Sequence, residues 1–90
     1  MVKVIIADSN FIVRAGLRSV LSQSDDFAIV SEVKSNEELG ESLTVFDVDV
    51  VLMDYTSEGF SLDSVLRWSK KMPLLKWVAI TGDQTGTIMV

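Results

Sequence analysis

The sequence predicts a small α/β domain built around a parallel sheet. Strand-like apolar runs begin near Val2, Phe27, Asp49 and Leu74. These starts lie 25, 22 and 25 residues apart, and helical patterns fill the intervals. Such alternation is typical of βαβ units with right-handed crossovers. The run Val50–Met53 is also continuously apolar, which is typical of a strand covered on both faces.

Three of the four apolar runs end in a polar residue: Asp8, Asp54 and Thr81. The carboxyl ends of parallel strands meet at one edge of the sheet, where open α/β folds bind their ligands. We therefore expect these side chains to converge. A carboxylate placed there can bind a metal or act as a nucleophile, although Asp54 taken alone could equally be a loop cap.

Composition narrows the possible functions. A chain of 90 residues fits one domain (1–90), and 48% hydrophobic with 23% charged residues is ordinary for a globular protein. The absence of cysteine and histidine excludes disulfides, Cys-based zinc sites and a Ser-His-Asp triad. A net charge of −5 argues against direct binding of nucleic acid. The apolar N-terminus is too short for a signal peptide or membrane span, so we expect a cytoplasmic protein without a membrane partner.

The first half of the chain predicts a helix followed by a strand near the sheet edge. Ser9 and Asn10 are candidate N-caps of the helix. Its apolar face repeats at helical spacing over Val13, Leu17, Val20 and Leu21. Arg14 and Arg18 lie off that face and are interpreted as solvent-exposed. The strand, 27–33, is more polar than the others.

The second half predicts two more helices and a fourth strand. Ser35 and Glu38 form a capping-box pattern before a short second helix. The apolar stripe of that helix contains Leu39, Leu43 and Phe46. Ser61 can cap a third helix that ends before Pro73. Its expected buried face comprises Leu62, Val65, Leu66 and Met72, with Trp68 at the margin. The fourth strand is 74–80, and the pattern of residues 84–90 fits either a helix or a further extended segment.

Three segments together resemble the receiver domain of bacterial response regulators, and most closely that of LuxR-type transcription regulators. The first is Ile5–Asp8 followed by Ile12–Arg18, which resembles the first strand and helix. The second is Asp49–Asp54 with Gly59, which resembles the phosphoacceptor strand and its loop. The third is Val78–Gly82, which resembles the strand that ends in a switch hydroxyl.

The resemblance implies a flavodoxin-like, doubly wound parallel sheet in the order 2-1-3-4-5, with helices on both faces. It implies a signalling module, not an enzyme, that accepts a phosphoryl group from a sensor histidine kinase on Asp54. Asp8, Asp54 and the backbone carbonyl of Thr56 would hold Mg²⁺, and Thr81 would turn its hydroxyl toward the phosphoryl group. DNA would be contacted only through a C-terminal domain that lies outside this chain.

Three departures from the family pattern accompany the resemblance. Ser9 stands where the family has the carboxylate that binds the metal directly, so Mg²⁺ binding is expected to be weak. Glu58 replaces the usual proline before Gly59; it is interpreted as a solvated residue and, less favourably, as a substitute carboxylate. The family's lysine ends a fifth strand expected near residue 98 or 99, beyond Val90, so the domain is expected to be incomplete at its C-terminal end and its sheet truncated after the fourth strand.

These departures leave two functional hypotheses open. The first is a phosphoaccepting receiver that switches a downstream, DNA-binding output, and the second is a phosphorylation-independent receiver-like interaction module. A nucleotide-binding domain is disfavoured by the lack of a glycine-rich loop after the first strand. A haloacid-dehalogenase-type phosphatase is disfavoured because Thr56 stands where a second carboxylate would be needed. An open edge on the fourth strand further predicts a homo-oligomer.

Overall fold

A computed structural model of the chain describes residues 1–80 and the short strand Ile88–Met89. Its elements follow one another in this order: β1 (Val2–Ala7), α1 (Phe11–Leu21), β2 (Phe27–Val33), α2 (Asn36–Val45), β3 (Val50–Met53), α3 (Leu62–Lys71), β4 (Lys76–Ile80) and β5 (Ile88–Met89). The strand–helix alternation predicted from the sequence is confirmed. No helix in the described part of the chain is long and apolar enough to span a membrane.

The strands form one sheet in the order β2-β1-β3-β4-β5. Strands β1 to β4 pair in parallel, and β1 lies beside β3 with Ala7 opposite Met53. The flavodoxin-like class, the strand order and the edge position of β2 are therefore confirmed. Because β1 and β3 are interior neighbours, the residues that follow them emerge side by side at the carboxyl edge of the sheet.

The apolar runs are continuous because both faces of the central strands are covered. Residues 4–7 of β1 are at most 1% exposed. On one face, Ile5 and Val51 belong to a buried core that includes Leu39 and Leu43 of α2. Side chains alternate along a strand, so Val4 and Ile6 lie on the opposite face, on the side contacted by α1.

Side-chain caps fix where the helices begin. The Asn10 side chain accepts hydrogen bonds from the amides of Ile12 and Val13, so Asn10 and not Ser9 is the N-cap of α1. The Ser35 hydroxyl accepts from the Glu38 amide, which confirms half of the capping box. The Glu38 carboxylate accepts from the Lys34 amide. Ser61 caps α3 as predicted.

The predicted apolar faces of the helices are only partly buried. Leu62 and Leu66 are 54% and 55% exposed, so the prediction that they are buried was wrong. Val20, on the apolar face of α1, is 64% exposed. Trp68, at the margin of the predicted face of α3, packs against the core together with Val65. Helical spacing shows which residues share a face, but the extent of the neighbouring surface decides which of them are covered.

Among the described residues the parallel part of the sheet ends at β4, as expected, and one short antiparallel strand continues the sheet beyond it. Ala79 pairs with Met89 and Ile80 with Ile88. An antiparallel return can be made over a short connection, whereas a parallel one needs a dozen or more residues. The sequence pattern had left a helix or an extended segment open for residues 84–90, and Ile88–Met89 is extended.

Candidate functional site

The site forms where β1 and β3 end. The Asp54 amide donates to the Ala7 carbonyl at 3.3 Å, and the Asp8 amide donates to the Val33 carbonyl at 3.0 Å. These bonds continue the parallel ladder one residue past the strands and fix the backbones of both aspartates. The predicted convergence of Asp8 and Asp54 is thus observed in the structure.

Asp8 is the buried member of the pair, with 3% of its surface exposed. Burial raises the pKa of the Asp8 carboxyl above its ordinary value, and the negative charge of Asp54 raises it further. A 2.8 Å hydrogen bond from the Asn10 amide and the positive charge of Arg14 oppose that pKa shift without cancelling it. The site thus holds two carboxylates whose mutual repulsion favours a bound cation or a proton.

Asp8→Asn is expected to stabilise the chain at neutral pH in the absence of divalent cations. The folded-state pKa of Asp8 is raised, so ionisation of this carboxyl opposes folding. The stability gain should be small below the unfolded-state pKa, grow as pH rises through the folded-state pKa, and then level off on the order of 1 kcal/mol. Urea unfolding with chelator across this pH range measures it, with the exposed Asp25→Asn as charge control. A gain that does not change with pH would contradict the assignment.

The loop after β3 holds the Asp54 side chain through Thr56. The Thr56 amide donates to Asp54 Oδ1 at 2.9 Å, and the Thr56 hydroxyl donates to the same oxygen. The Ser57 hydroxyl and amide both bind the Asp54 backbone carbonyl, at 2.9 and 3.1 Å. The carboxylate is half-buried and Thr56 is exposed, so the site opens to solvent on the side of this loop.

Gly59 anchors the far end of the loop. Its φ of 90° lies in the left-handed region, which an L side chain rarely adopts. A Cβ at this position would lie 3.0 Å from the Lys34 carbonyl. The Gly59 carbonyl accepts a 2.7 Å hydrogen bond from the Asn36 amide, which ties the loop to the start of α2. A glycine is needed here for both backbone conformation and close approach.

Arg14 belongs to the site, although the sequence pattern indicated a solvated residue. Its Nη1 donates to the Asp8 backbone carbonyl at 2.6 Å, and its side chain is 14% exposed. Its Nε lies 3.9 Å from Glu32, which also pairs with Arg18 at 2.9 Å. The position of Arg14 in the sequence could have indicated its place in the site, because Arg14 lies in the first turns of the helix that starts beside Asp8.

The oxygen donors at this edge fit Mg²⁺. Two carboxylates, Asp8 and Asp54, and the Thr56 carbonyl are the hard ligands that this ion prefers, and it commonly keeps waters when carboxylates are few. Ser9 is half-buried next to Asp8 and offers only a hydroxyl. Within residues 1–80 and 88–89, no three acidic residues group together in a way that could hold a metal. Glu58 is exposed and does not group with the two aspartates among the described residues, which favours its interpretation as a solvated residue.

The remaining predicted site residue, Thr81, lies outside the residues that the structure describes. Its role as a switch hydroxyl stays a prediction.

Comparisons with known proteins identify response regulators as relatives of this chain. The chain is 32% identical over 82 residues to the response regulator GacA of Pseudomonas syringae pv. syringae; the match covers 90% of this chain and 38% of that protein. It is 35% identical over 54 residues to the transcriptional regulatory protein LnrK of Bacillus subtilis, covering 60% of this chain and 24% of LnrK. The chain therefore spans less than half the length of these relatives. No protein-family model matches it.

Solved structures show the same likeness. The isolated receiver domain of RcsB from Salmonella enterica serovar Typhimurium, determined with the phosphomimetic BeF₃⁻, superposes with a TM-score of 0.83 at 26% identity. That match covers 89% of this chain and 61% of the RcsB chain. RcsB bound to the promoter rprA matches with the same TM-score and covers 90% of this chain.

Proposed function

Because the chain is a receiver domain of the response-regulator type, we propose that it accepts a phosphoryl group on Asp54 from a sensor histidine kinase. The observation that supports this most strongly is the placement of Asp54. Its backbone is fixed by Ala7 at the end of an interior strand, and its carboxylate lies half-buried beside the buried carboxylate of Asp8. A nucleophile and a cation-attracting partner are thus held together at the ligand-binding edge of the sheet.

The transfer needs alignment and charge neutralisation more than an added base. An Asp54 carboxylate oxygen attacks phosphorus as the bond to the donor breaks: the P–N bond of a phosphohistidine, or the P–O bond to the acetyl group of acetyl phosphate. The leaving group departs with the electron pair, and a mixed anhydride forms on Asp54. Asp8 stays unreacted because it is buried, and Arg14 holds its backbone in place.

Mg²⁺ would be held by Asp8, Asp54 and the Thr56 carbonyl, and when bound would neutralise charge on the phosphoryl oxygens. With Ser9 in place of the usual carboxylate, we propose that this binding is weak. Thr81 supplies the switch hydroxyl in this proposal, because a phosphoryl group offers strong acceptor oxygens to a nearby donor.

Acetyl phosphate with Mg²⁺ tests the proposal directly. We expect one phosphoryl adduct per chain by intact-mass spectrometry, dependent on Mg²⁺ and removed by hydroxylamine, which cleaves acyl phosphates. The RcsB receiver domain, run in parallel, shows whether the conditions suffice. An adduct on the control but none on this chain would favour the second hypothesis.

That second hypothesis is a receiver-like module that works by protein–protein contact without phosphorylation. It is favoured by Ser9, because the site contains only two carboxylates among the described residues. It predicts the same fold and the same surfaces for contact with partners. It also predicts that no phosphoryl adduct forms and that the output does not depend on Asp54.

We propose that the output is control of transcription through a further, DNA-binding domain; one relative, LnrK, is named a transcriptional regulatory protein. We also propose that the receiver forms a homo-oligomer. Among the described residues, β5 pairs only with Ala79 and Ile80, so part of the β4 edge offers backbone groups to another molecule. An apolar cleft of about 280 Å³ between α3 and β4, which includes Trp77 and Val65, adjoins that edge. Sedimentation of the wild type and of Val78→Lys tests this, and a wild-type monomer at high micromolar concentration would contradict it.

A further inference from the structure

The Asp54 carboxylate has its two oxygens in different environments. Oδ1 accepts two hydrogen bonds from Thr56, one from the amide at 2.9 Å and one from the hydroxyl. Oδ2 accepts none from the residues that the structure describes. A carboxylate oxygen has about two acceptor positions, so Oδ1 is fully occupied.

Phosphoryl acceptance requires two functions of the Asp54 carboxylate. One oxygen must bond to phosphorus, while the carboxylate must also help to hold a cation against the phosphoryl charge. With only Oδ2 free, the same oxygen would have to bind the cation and bond to phosphorus, and a cation on the attacking oxygen lowers its nucleophilicity. The Thr56 amide belongs to the backbone of a loop that Ser57 and Gly59 hold in place, so it cannot easily withdraw. The Thr56 hydroxyl, by contrast, can leave Oδ1 when the side chain rotates about χ1.

From this geometry we propose that the Thr56 hydroxyl is a latch on Asp54 Oδ1, which must be released before the carboxylate can hold a cation and attack phosphorus together. Thr56 is thus a positioning residue that slows phosphoryl acceptance in the resting domain. The inference deepens the proposed function and rests on it. It assigns a role to the Thr56 side chain, separate from that of its backbone carbonyl.

The matched variants are Thr56→Val, which removes the hydroxyl but keeps the shape, and Thr56→Ser, which keeps the hydroxyl. We expect Thr56→Val to react with acetyl phosphate about three to ten times faster than wild type and to bind Mg²⁺ more tightly by a similar factor. That range reflects a hydrogen bond to a charged group, reduced because Thr56 is exposed. Thr56→Ser, which keeps the hydroxyl, should lie closer to wild type than Thr56→Val in both measurements. Ser57→Ala, which loses a bond to the Asp54 backbone carbonyl and none to the carboxylate, controls for loosening of the loop.

Two separate measurements distinguish failure of the latch from failure of the proposed function. The rate constant of adduct formation is measured by mass spectrometry, and Mg²⁺ affinity is measured by calorimetry without any phosphodonor. Equal values for Thr56→Val and wild type would overturn the latch, and so would slower labelling with weaker Mg²⁺ binding. If no variant forms an adduct, the proposed function fails, and the Mg²⁺ affinities still decide whether the hydroxyl competes for Oδ1. Circular dichroism and urea unfolding confirm that each variant is folded.

Discussion

Asp54→Asn is expected to eliminate phosphoryl labelling entirely while the domain stays folded. An amide oxygen is neutral and is a poor nucleophile toward phosphorus, so the chemical step is lost. The asparagine carbonyl can still accept from the Thr56 amide, and the backbone bond to Ala7 does not involve the side chain. The substitution also removes a negative charge that raises the pKa of Asp8, so stability at neutral pH should not fall.

The measurement compares intact masses of wild type, Asp54→Asn and Asp25→Asn after acetyl phosphate treatment. Asp25 is exposed in the turn that follows α1, so its substitution matches the charge change at a distance from the site. Wild type and Asp25→Asn should carry the adduct equally. An adduct that persists on Asp54→Asn would place the reactive group elsewhere and would remove the basis of the assignment.

Ser9→Asp is expected to strengthen Mg²⁺ binding by about tenfold or more. Losing even an outer-shell partner of a metal typically costs ten- to a hundredfold in affinity, and this change adds an oxygen ligand and a full charge. Ser9 is half-buried beside Asp8, in the position where the family carries its direct ligand. A third carboxylate should also destabilise the metal-free domain by repulsion, and saturating Mg²⁺ should reverse that loss because the cation binds the folded state.

Calorimetric titration of both forms, with Ser19→Asp on the exposed surface of α1 as charge control, decides this prediction. The affinity of Ser19→Asp should stay close to that of wild type, because screening weakens a charge on a distant surface. Equal affinities for Ser9→Asp and wild type would mean that residue 9 does not face the cation.

The positions of Asp8 and Asp54 could be predicted because their signal is local and simple. Each follows a continuous apolar run, and parallel strands that alternate with helices bring their carboxyl ends to one edge. Burial of β1 and β3 on both faces follows from the same runs. The cap residues Ser35 and Ser61 were predictable for a related reason, since a serine just before a helical pattern commonly accepts a hydrogen bond from a first-turn amide.

The rest depends on contacts between segments that are distant in sequence. Arg14 lies off the apolar face of α1, yet the first turn of that helix starts beside Asp8 and brings the guanidinium to its carbonyl. Leu62 and Leu66 satisfy the helical pattern but extend past the surface that covers Val65. The Thr56 hydroxyl could have pointed to solvent, and only the loop conformation places it on Asp54.

Binding of beryllofluoride tests the central claim, that Asp54 is the phosphoacceptor of a receiver site, most directly. The ion forms an acyl-phosphate mimic only on a carboxylate that is positioned for phosphoryl transfer, and it needs no leaving group. Fluorine NMR with Mg²⁺ should show bound resonances for the wild type and none for Asp54→Asn, with the RcsB receiver domain as positive control. Bound resonances that survive in Asp54→Asn, or their absence from wild type while the control shows them, would contradict the claim.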